Sequence, residues 1–204
     1  MRVLVVFNHP YDGSYCSAIL DSVQKGLRAG GHEVDLIHLD KDEFDPVMRS
    51  KDLKAFAEVA RNPDSSMTQL DPQVLDYRDR LHKADHLVFV FPIWWELMPA
   101  LTKGFIDKVI FPGIAYRYIS NSRIPKMASI TKLSGVTVIT TMNTPSLIYR
   151  LIFGNAIKRS LITGTFWKIG VPNRKWMSFN MVKAVSQKKR AQWLKSVETR
   201  FQHL

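Results

Sequence analysis

The sequence predicts an α/β domain: a doubly wound, mainly parallel sheet of five strands with helices on both faces. Short, continuous β-branched and aromatic runs, Val3 to Phe7 and Leu87 to Phe91, lack the polar alternation of a half-exposed strand and suit strands buried on both faces. Between such runs lie longer stretches with apolar residues at helical spacing, so strands alternate with helices, as in parallel strands joined by crossovers. The length agrees. A chain of 204 residues suits one domain over 1–204, with a core large enough to stand without disulfide or metal staples.

Val3 to Phe7 is expected as the central strand. The loop Asn8 to Ser14 follows it, then a helix in which Ala18, Ile19, Val23 and Leu27 share a face and Gly30-Gly31 supplies the stop. Val34 to Leu39 is the second strand. Lys51 to Arg61 and Pro72 to Lys83 are expected as helices, the latter with Asp71 as cap and Pro72 in its first position. Asn62 to Gln69 is the polar loop between them. Leu87 to Phe91 is the third strand, Pro99 to Ile110 a helix whose proline sits in the tolerated first turn, and Val136 to Thr140 the fourth strand. That leaves a connection over 112–134, longer than ordinary loops and therefore expected to be functional or partly ordered. Ser146 to Leu161 is expected as a helix in spite of Gly154, Thr165 to Ile169 as the fifth strand, and Ala184 to Phe201 as a closing amphipathic helix carrying Lys188, Lys189 and Arg190.

Composition narrows the class. With 46% hydrophobic and 23% charged residues and ten each of Gly and Pro, the chain is neither disordered nor collagen-like. The single cysteine, Cys16, excludes an internal disulfide, a Cys-rich zinc site and an iron–sulfur cluster, and points to a reducing compartment. The opening run is too short and wrongly flanked for a signal peptide. The longest stretch without charged or polar side chains, Leu87 to Trp95, falls far below a spanning helix. A soluble, cytoplasmic protein is the expectation. The net charge is +11, unevenly placed: residues 1–116 hold 13 basic and 17 acidic side chains, whereas 117–204 hold 16 basic ones and a single acid, Glu198. The second half should face something anionic, such as nucleic acid, a membrane surface, a phosphorylated cofactor or an acidic partner, unless it is a solvated face that serves solubility. Without zinc-finger spacing or an RNP-type aromatic motif, a nucleic-acid role rests on charge alone.

The loops carry the chemistry. Gly-x-Gly-x-x-Gly is absent after the first strand, as is the nucleoside-triphosphatase loop. Asn8-His9-Pro10-Tyr11-Asp12-Gly13-Ser14-Tyr15-Cys16-Ser17 stands there instead. The hydroxyls of Ser14 and Ser17, with free amides at a helix start, suit a phosphate; a plain helix cap by Ser14 is the simpler alternative. Ligands of open parallel sheets bind outside the strand carboxyl ends where the winding reverses, which the flavodoxin-like order 2-1-3-4-5 places between the first and third strands. The third strand runs into Phe91-Pro92-Ile93-Trp94-Trp95-Glu96-Leu97-Met98-Pro99, whose adjacent indoles and turn amides suit a planar heteroaromatic ring, or else form a helix start with buried indoles. Thr140-Thr141-Met142-Asn143-Thr144-Pro145 would flank the same crevice.

His9-Pro10 with the downstream serines, Phe-Pro-x-x-Trp-x-x-x-Pro-Ala-x-x-Lys-Gly across Phe91 to Gly104, and Ala-Tyr-x-Tyr at Ala115 to Tyr118 resemble the flavodoxin-fold NAD(P)H:quinone oxidoreductases, a family that includes DT-diaphorase and the ancillary subunits of glutathione-gated potassium efflux systems. The resemblance covers residues 2 to about 150. It implies a homodimer with a flavin at its interface, FAD or alternatively FMN, reduced by NAD(P)H and reoxidised by a quinone, nitro or azo acceptor in a ping-pong cycle. It also implies that His9, Ser14, Cys16 and Ser17 hold the cofactor phosphates and that Pro92, Ile93, Trp94 and Trp95 line the ring, with Thr140, Thr141 and Asn143 on its other edge. Tyr116 and Tyr118 would close over the partner subunit's pocket.

The chain departs from that pattern in three places. Met142-Asn143 replaces a Gly-Gly pair, so the backbone there is less free to approach a ring. No histidine follows in 144–164, which leaves Tyr149 or solvent to deliver a proton. Glu96 stands beside Trp95 where relatives carry an apolar or aromatic residue. Two other classes stay open: a regulatory flavoprotein docked on a membrane transporter, and a one-electron carrier flavodoxin, which the basic balance fits poorly.

Overall fold

The computed structural model describes residues 1–58, 69–119, 126–129 and 131–204. Strands β1 (Arg2–Phe7), β2 (Glu33–His38) and β3 (His86–Pro92) form where the apolar runs predict them. A short antiparallel hairpin, β4 (Tyr116–Ile119) and β5 (Lys126–Ser129), occupies part of the long connection over 112–134. β6 (Gly135–Thr141) and β7 (Arg174–Phe179) complete a five-stranded sheet in the order β2-β1-β3-β6-β7. All neighbours in it are parallel; Val5, for example, sits opposite Leu36 on one side and Val88 on the other. Counted by the strands of this sheet alone, it is the 2-1-3-4-5 order expected from the sequence.

Period-two alternation divides the strand residues between two cores. Val3, Val5 and Phe7 of β1 and Val88 and Val90 of β3 face α1 (Tyr15–Ala29) and the closing helix, with Val197 and Phe201 fully buried against them. Leu4, Val6, Phe89 and Phe91 face the other way. That layer holds α2 (Ser50–Glu58), α3 (Pro72–Lys83) and α4 (Ala100–Val109). Gly104 of α4 is required by contact: a Cβ there would stand 2.3 Å from Pro46 Cα. Residues 59–61 of the first expected helix and 62–68 of the polar loop lie outside the described residues.

The structure corrects the sequence reading in the last third. The helix expected over Ser146–Leu161 is interrupted: α5 (Ser146–Leu151) stops, and Gly154 and Asn155 turn with φ of 63° and 52°. Left-handed backbone there ends the helix. The segment expected as the fifth strand, Thr165–Ile169, is not a strand. Lys158–Trp167 winds in the wide π form, with Lys168 N–H donating to Thr163 O at 3.2 Å, because Leu161, Ile162 and Phe166 reach the core from a helix. The fifth strand is β7, an edge strand whose charged Arg174 and Lys175 mask its pattern. The closing helix α6 (Gln187–Gln202) is capped by Ser186, which accepts from Lys189 N–H.

Asp71 also departs from expectation. It occupies the cap position of α3 without capping it; its carboxylate instead meets the ammonium groups of Lys51 and Lys108, the latter at 3.2 Å. Among the described residues no helix is long and apolar enough to cross a membrane.

Candidate functional site

Because β1, β3 and β6 are parallel neighbours, their carboxyl ends deliver three loops side by side. The loops are bonded to one another. Ile93 N–H donates to Thr141 O at 2.8 Å and Asn8 N–H to Val90 O at 3.1 Å. Asn8, buried at the end of β1, donates from Nδ2 to Asp40 at 2.9 Å, while its Oδ1 accepts from the Thr102 hydroxyl of α4 at 2.9 Å. Sequence reading placed Asn8 in this loop without a role and missed Thr102; a polar residue directly after a buried strand was the available signal.

At the first loop, α1 opens onto the crevice. Ser14 Oγ accepts from Ser17 N–H at 3.1 Å, the helix cap that the sequence offered as the simpler alternative, and lies 2.9 Å from Ser17 Oγ. The amides of Tyr15 and Cys16 take no partner among the described residues, leaving donors and the positive end of the helix dipole for an anion. His9 Nδ1 accepts from Tyr11 N–H at 3.1 Å, which leaves Nε2 as the proton-bearing nitrogen of the neutral ring. Burial holds its pKa below the ordinary histidine value against the pull of Asp40. The Cys16 thiol is buried: it is 2% exposed, lies 3.1 Å from Thr141 Oγ1, and is pushed up to about 11 by burial.

The second loop is a tight turn built from unusual residues. Trp94 and Leu97 exchange backbone hydrogen bonds at 3.0 and 3.1 Å, and the two residues between them, Trp95 and Glu96, have φ of 48° and 63°. Such turns favour Asn-Gly, because left-handed backbone costs a residue with a large side chain on the order of 1–2 kcal/mol. Here the turn thrusts the Trp95 indole outward, 97% exposed. Trp94 is half-exposed and stands edge-on to His9, ring centres 6.0 Å apart. The indoles are therefore not buried at a helix start. Pro92 and Ile93 are buried beneath them.

Around the third loop, Thr140 is fully buried with its hydroxyl accepting from Trp176 Nε1 at 3.0 Å, and Thr141 faces Cys16. Asn143 is exposed and accepts from Lys183 N–H at 3.2 Å; Asn180 Nδ2 donates to Thr144 O. Thr144 in turn donates to Glu96 Oε1 at 2.8 Å, while the other carboxylate oxygen, Oε2, is buried without a partner among the described residues. Asn180 went unread in the sequence because its bond joins segments far apart in the chain. Tyr149 is 1% exposed, and burial raises its pKa; its hydroxyl donates to Glu96 O and accepts from Ile157 N–H. It holds the turn through that bond to Glu96.

Tyr116 is placed apart from these loops. It lies buried beside a cavity of about 410 Å3 that it lines with Phe56, Ile106 and Lys168, and none of the crevice residues lines that cavity. Tyr118 sits two residues on in β4, and its side chain lies outside the described residues.

A doubly wound sheet of this order, with a helix amino end and an aromatic turn meeting at its switch point, defines the flavodoxin-like class of α/β proteins. The family model described as having a flavodoxin-like fold matches residues 1–201, and the chain belongs to that family. It is similar to NAD(P)H dehydrogenase (quinone) 1 of Cavia porcellus, 28% identical over 125 residues that make up 57% of this chain and 46% of that protein. It is also similar to an uncharacterized NAD(P)H oxidoreductase, YcaK, of Escherichia coli (strain K12), 32% identical over 115 residues, 56% of this chain and 55% of that protein. The chain spans about half the length of these curated relatives. The solved NAD(P)H:quinone oxidoreductase from Methanothermobacter marburgensis shares the fold, with a TM-score of 0.84 at 21% identity over 100% of this chain and 96% of that one.

Proposed function

We propose that this protein is a flavin-dependent oxidoreductase that passes two electrons, as hydride, from NAD(P)H to a quinone or a related nitro or azo acceptor, donor and acceptor taking turns in one pocket. The observation that carries it is the Trp95 indole, held almost wholly in solvent by a left-handed turn beside the open amino end of α1. A large apolar ring kept exposed at such backbone cost suits a stacking surface, and partnerless amides suit a phosphate. The residues present therefore fit a flavin. When bound, a flavin supplies the hydride acceptor and donor that no side chain of this chain supplies.

The chain binds and orients. His9 Nε2, the hydroxyls of Ser14 and Ser17 and the backbone N–H groups of Tyr15 and Cys16 would hold the phosphate; Pro92, Ile93, Trp94 and Trp95 would seat the ring. Thr141 and Asn143 would border its other edge, with Thr140 bracing them through Trp176. Tyr149 acts as a positioning residue, so the proton that accompanies reduction comes from solvent. Tyr116 and Tyr118 would serve the pocket of a second subunit in a homodimer. The flavin would be FAD, as the family resemblance implies, or alternatively FMN.

The visible spectrum of the purified protein before and after anaerobic NADPH tests this, with the released cofactor identified by chromatography. A yellow protein bleached in one two-electron step supports the reading, and the chromatogram separates FAD from FMN. A colourless protein that binds neither on addition overturns it.

A further inference from the structure

Tyr116 shares its cavity of about 410 Å3 with apolar side chains from three other segments. Phe56 of α2 meets Phe111 edge to face, ring centres 5.4 Å apart, and Ile106 of α4 and Ile169 after the π-helix line the same space. Two charged residues stand among these walls, Asp107 and Lys168. The Asp107 carboxylate is already answered, since Lys103 Nζ lies 2.7 Å from its Oδ2. Lys168 is exposed and forms no ion pair with a described residue.

Hydrocarbon walls around a space of this size suit a body of one or two fused rings. An ammonium without a partner beside them suits an acid group carried by that body, because a charged donor and a charged acceptor make the stronger hydrogen bond. The phosphates of a nucleotide donor fit less well. They require several polar partners, and this cavity sets one ammonium among phenyl and aliphatic side chains.

We propose that Lys168 determines specificity for the acceptor, selecting an apolar quinone or azo compound that bears a carboxylate or sulfonate. The inference rests on the flavin reading and on the homodimer within it. In that dimer Tyr116 closes over the crevice of the partner subunit, and Lys168, which lines the same cavity as Tyr116, arrives there with it. The apolar walls receive the ring body and the ammonium meets its acid group. The selecting charge thus comes from one subunit and the stacking indoles from the other.

Reduction of 1,4-naphthoquinone and of its 2-sulfonate by NADPH, in wild type, Lys168→Met and Lys168→Arg, tests it. The quantity read is the ratio of kcat/KM for the two acceptors, because the intrinsic reactivity of each quinone cancels when that ratio is compared between proteins. Lys168→Met should lower the ratio of sulfonate to neutral quinone roughly tenfold at low salt, Lys168→Arg should restore most of it, and the wild-type ratio should fall as salt rises. Titration calorimetry with naphthalene-2-sulfonate, which accepts no electrons, reads the same contact at equilibrium, and its Kd should rise roughly tenfold in Lys168→Met. Circular-dichroism melting should be unchanged in both variants. A ratio or a Kd that Lys168→Met leaves unaltered, or a protein monomeric at assay concentration, would overturn the proposal. If neither quinone is reduced while the probe still binds through Lys168, the flavin reading falls and the site for an apolar anion stands; if that binding is also independent of Lys168, both fall.

Discussion

The Tyr149 hydroxyl donates to the Glu96 carbonyl at 3.0 Å and accepts from Ile157 N–H at 3.1 Å, so one buried oxygen joins the turn after β3 to the segment after α5. Tyr149→Phe leaves the ring packed and removes both bonds. It should cost about 2 kcal/mol in urea unfolding. Flavin affinity should fall as well, since the turn loses its support. Unchanged stability would show that the hydroxyl does not hold the turn.

Trp95 gains little from packing and bears the left-handed backbone. Glycine adopts that conformation freely. Trp95→Gly should therefore raise stability by up to about 1 kcal/mol while weakening flavin binding by roughly tenfold. Melting temperature and a flavin titration followed by fluorescence read the two effects separately, and their opposite signs are the distinguishing result.

His86 is buried against Thr137, its Nε2 3.0 Å from Thr137 Oγ1, and its pKa is pushed down to about 4, first by burial and then by Lys175 and His32. The folded protein thus keeps this ring neutral where the unfolded chain, with a pKa near the ordinary 6.5, takes up a proton. The resulting stability is fully present above about pH 6.5 and is lost as pH falls toward 4, about 3 kcal/mol in all. His86→Gln should flatten the stability profile across that window. The carboxylates of Asp45, Asp71 and Asp85, held below their ordinary range chiefly by hydrogen bonds, lose their contribution at lower pH.

Lys108 is a buried cation at the junction of three helices. Its ammonium stands 3.2 Å from Asp71, 4.0 Å from Asp52 and 3.2 Å from the Asp45 carbonyl. Removing it strands a buried carboxylate, because Asp52 Oδ1 already has no partner among the described residues. Lys108→Ala should cost about 3 kcal/mol or more by denaturant unfolding. A loss below 1 kcal/mol, roughly that of a surface pair, would show that water replaces the ammonium there.

The parts legible in the sequence are those written in local pattern. The runs at Val3 and Leu87 announced central strands, and Trp94-Trp95 stood out because adjacent indoles after a buried strand are rare company. The parts missed depend on distant partners. Thr165–Ile169 has the β-branched and aromatic composition of a strand, yet its fate is set by Phe166 finding Phe89 across the core, 5.9 Å between ring centres. β7 hid behind Arg174 and Lys175, whose charges belong to an edge. Asp71 looked like a cap because capping is local; the lysines that claim it arrive from 20 and 37 residues away. The bonds of the Tyr149 hydroxyl to Glu96 O and Ile157 N–H likewise join segments that no local pattern links.

The cover of α1 comes from the far end of the described chain. Gly26 lies so close to α6 that a Cβ would stand 2.3 Å from Glu198 O, and Phe201 seals the face formed by Val3, Val5 and Phe7. During synthesis those early strand residues leave the ribosome about 180 residues ahead of that helix, roughly ten seconds or more at ordinary elongation rates. Throughout that interval α1 alone covers this side of the nascent sheet, and this half of the core closes only when the helix at 187–202 emerges.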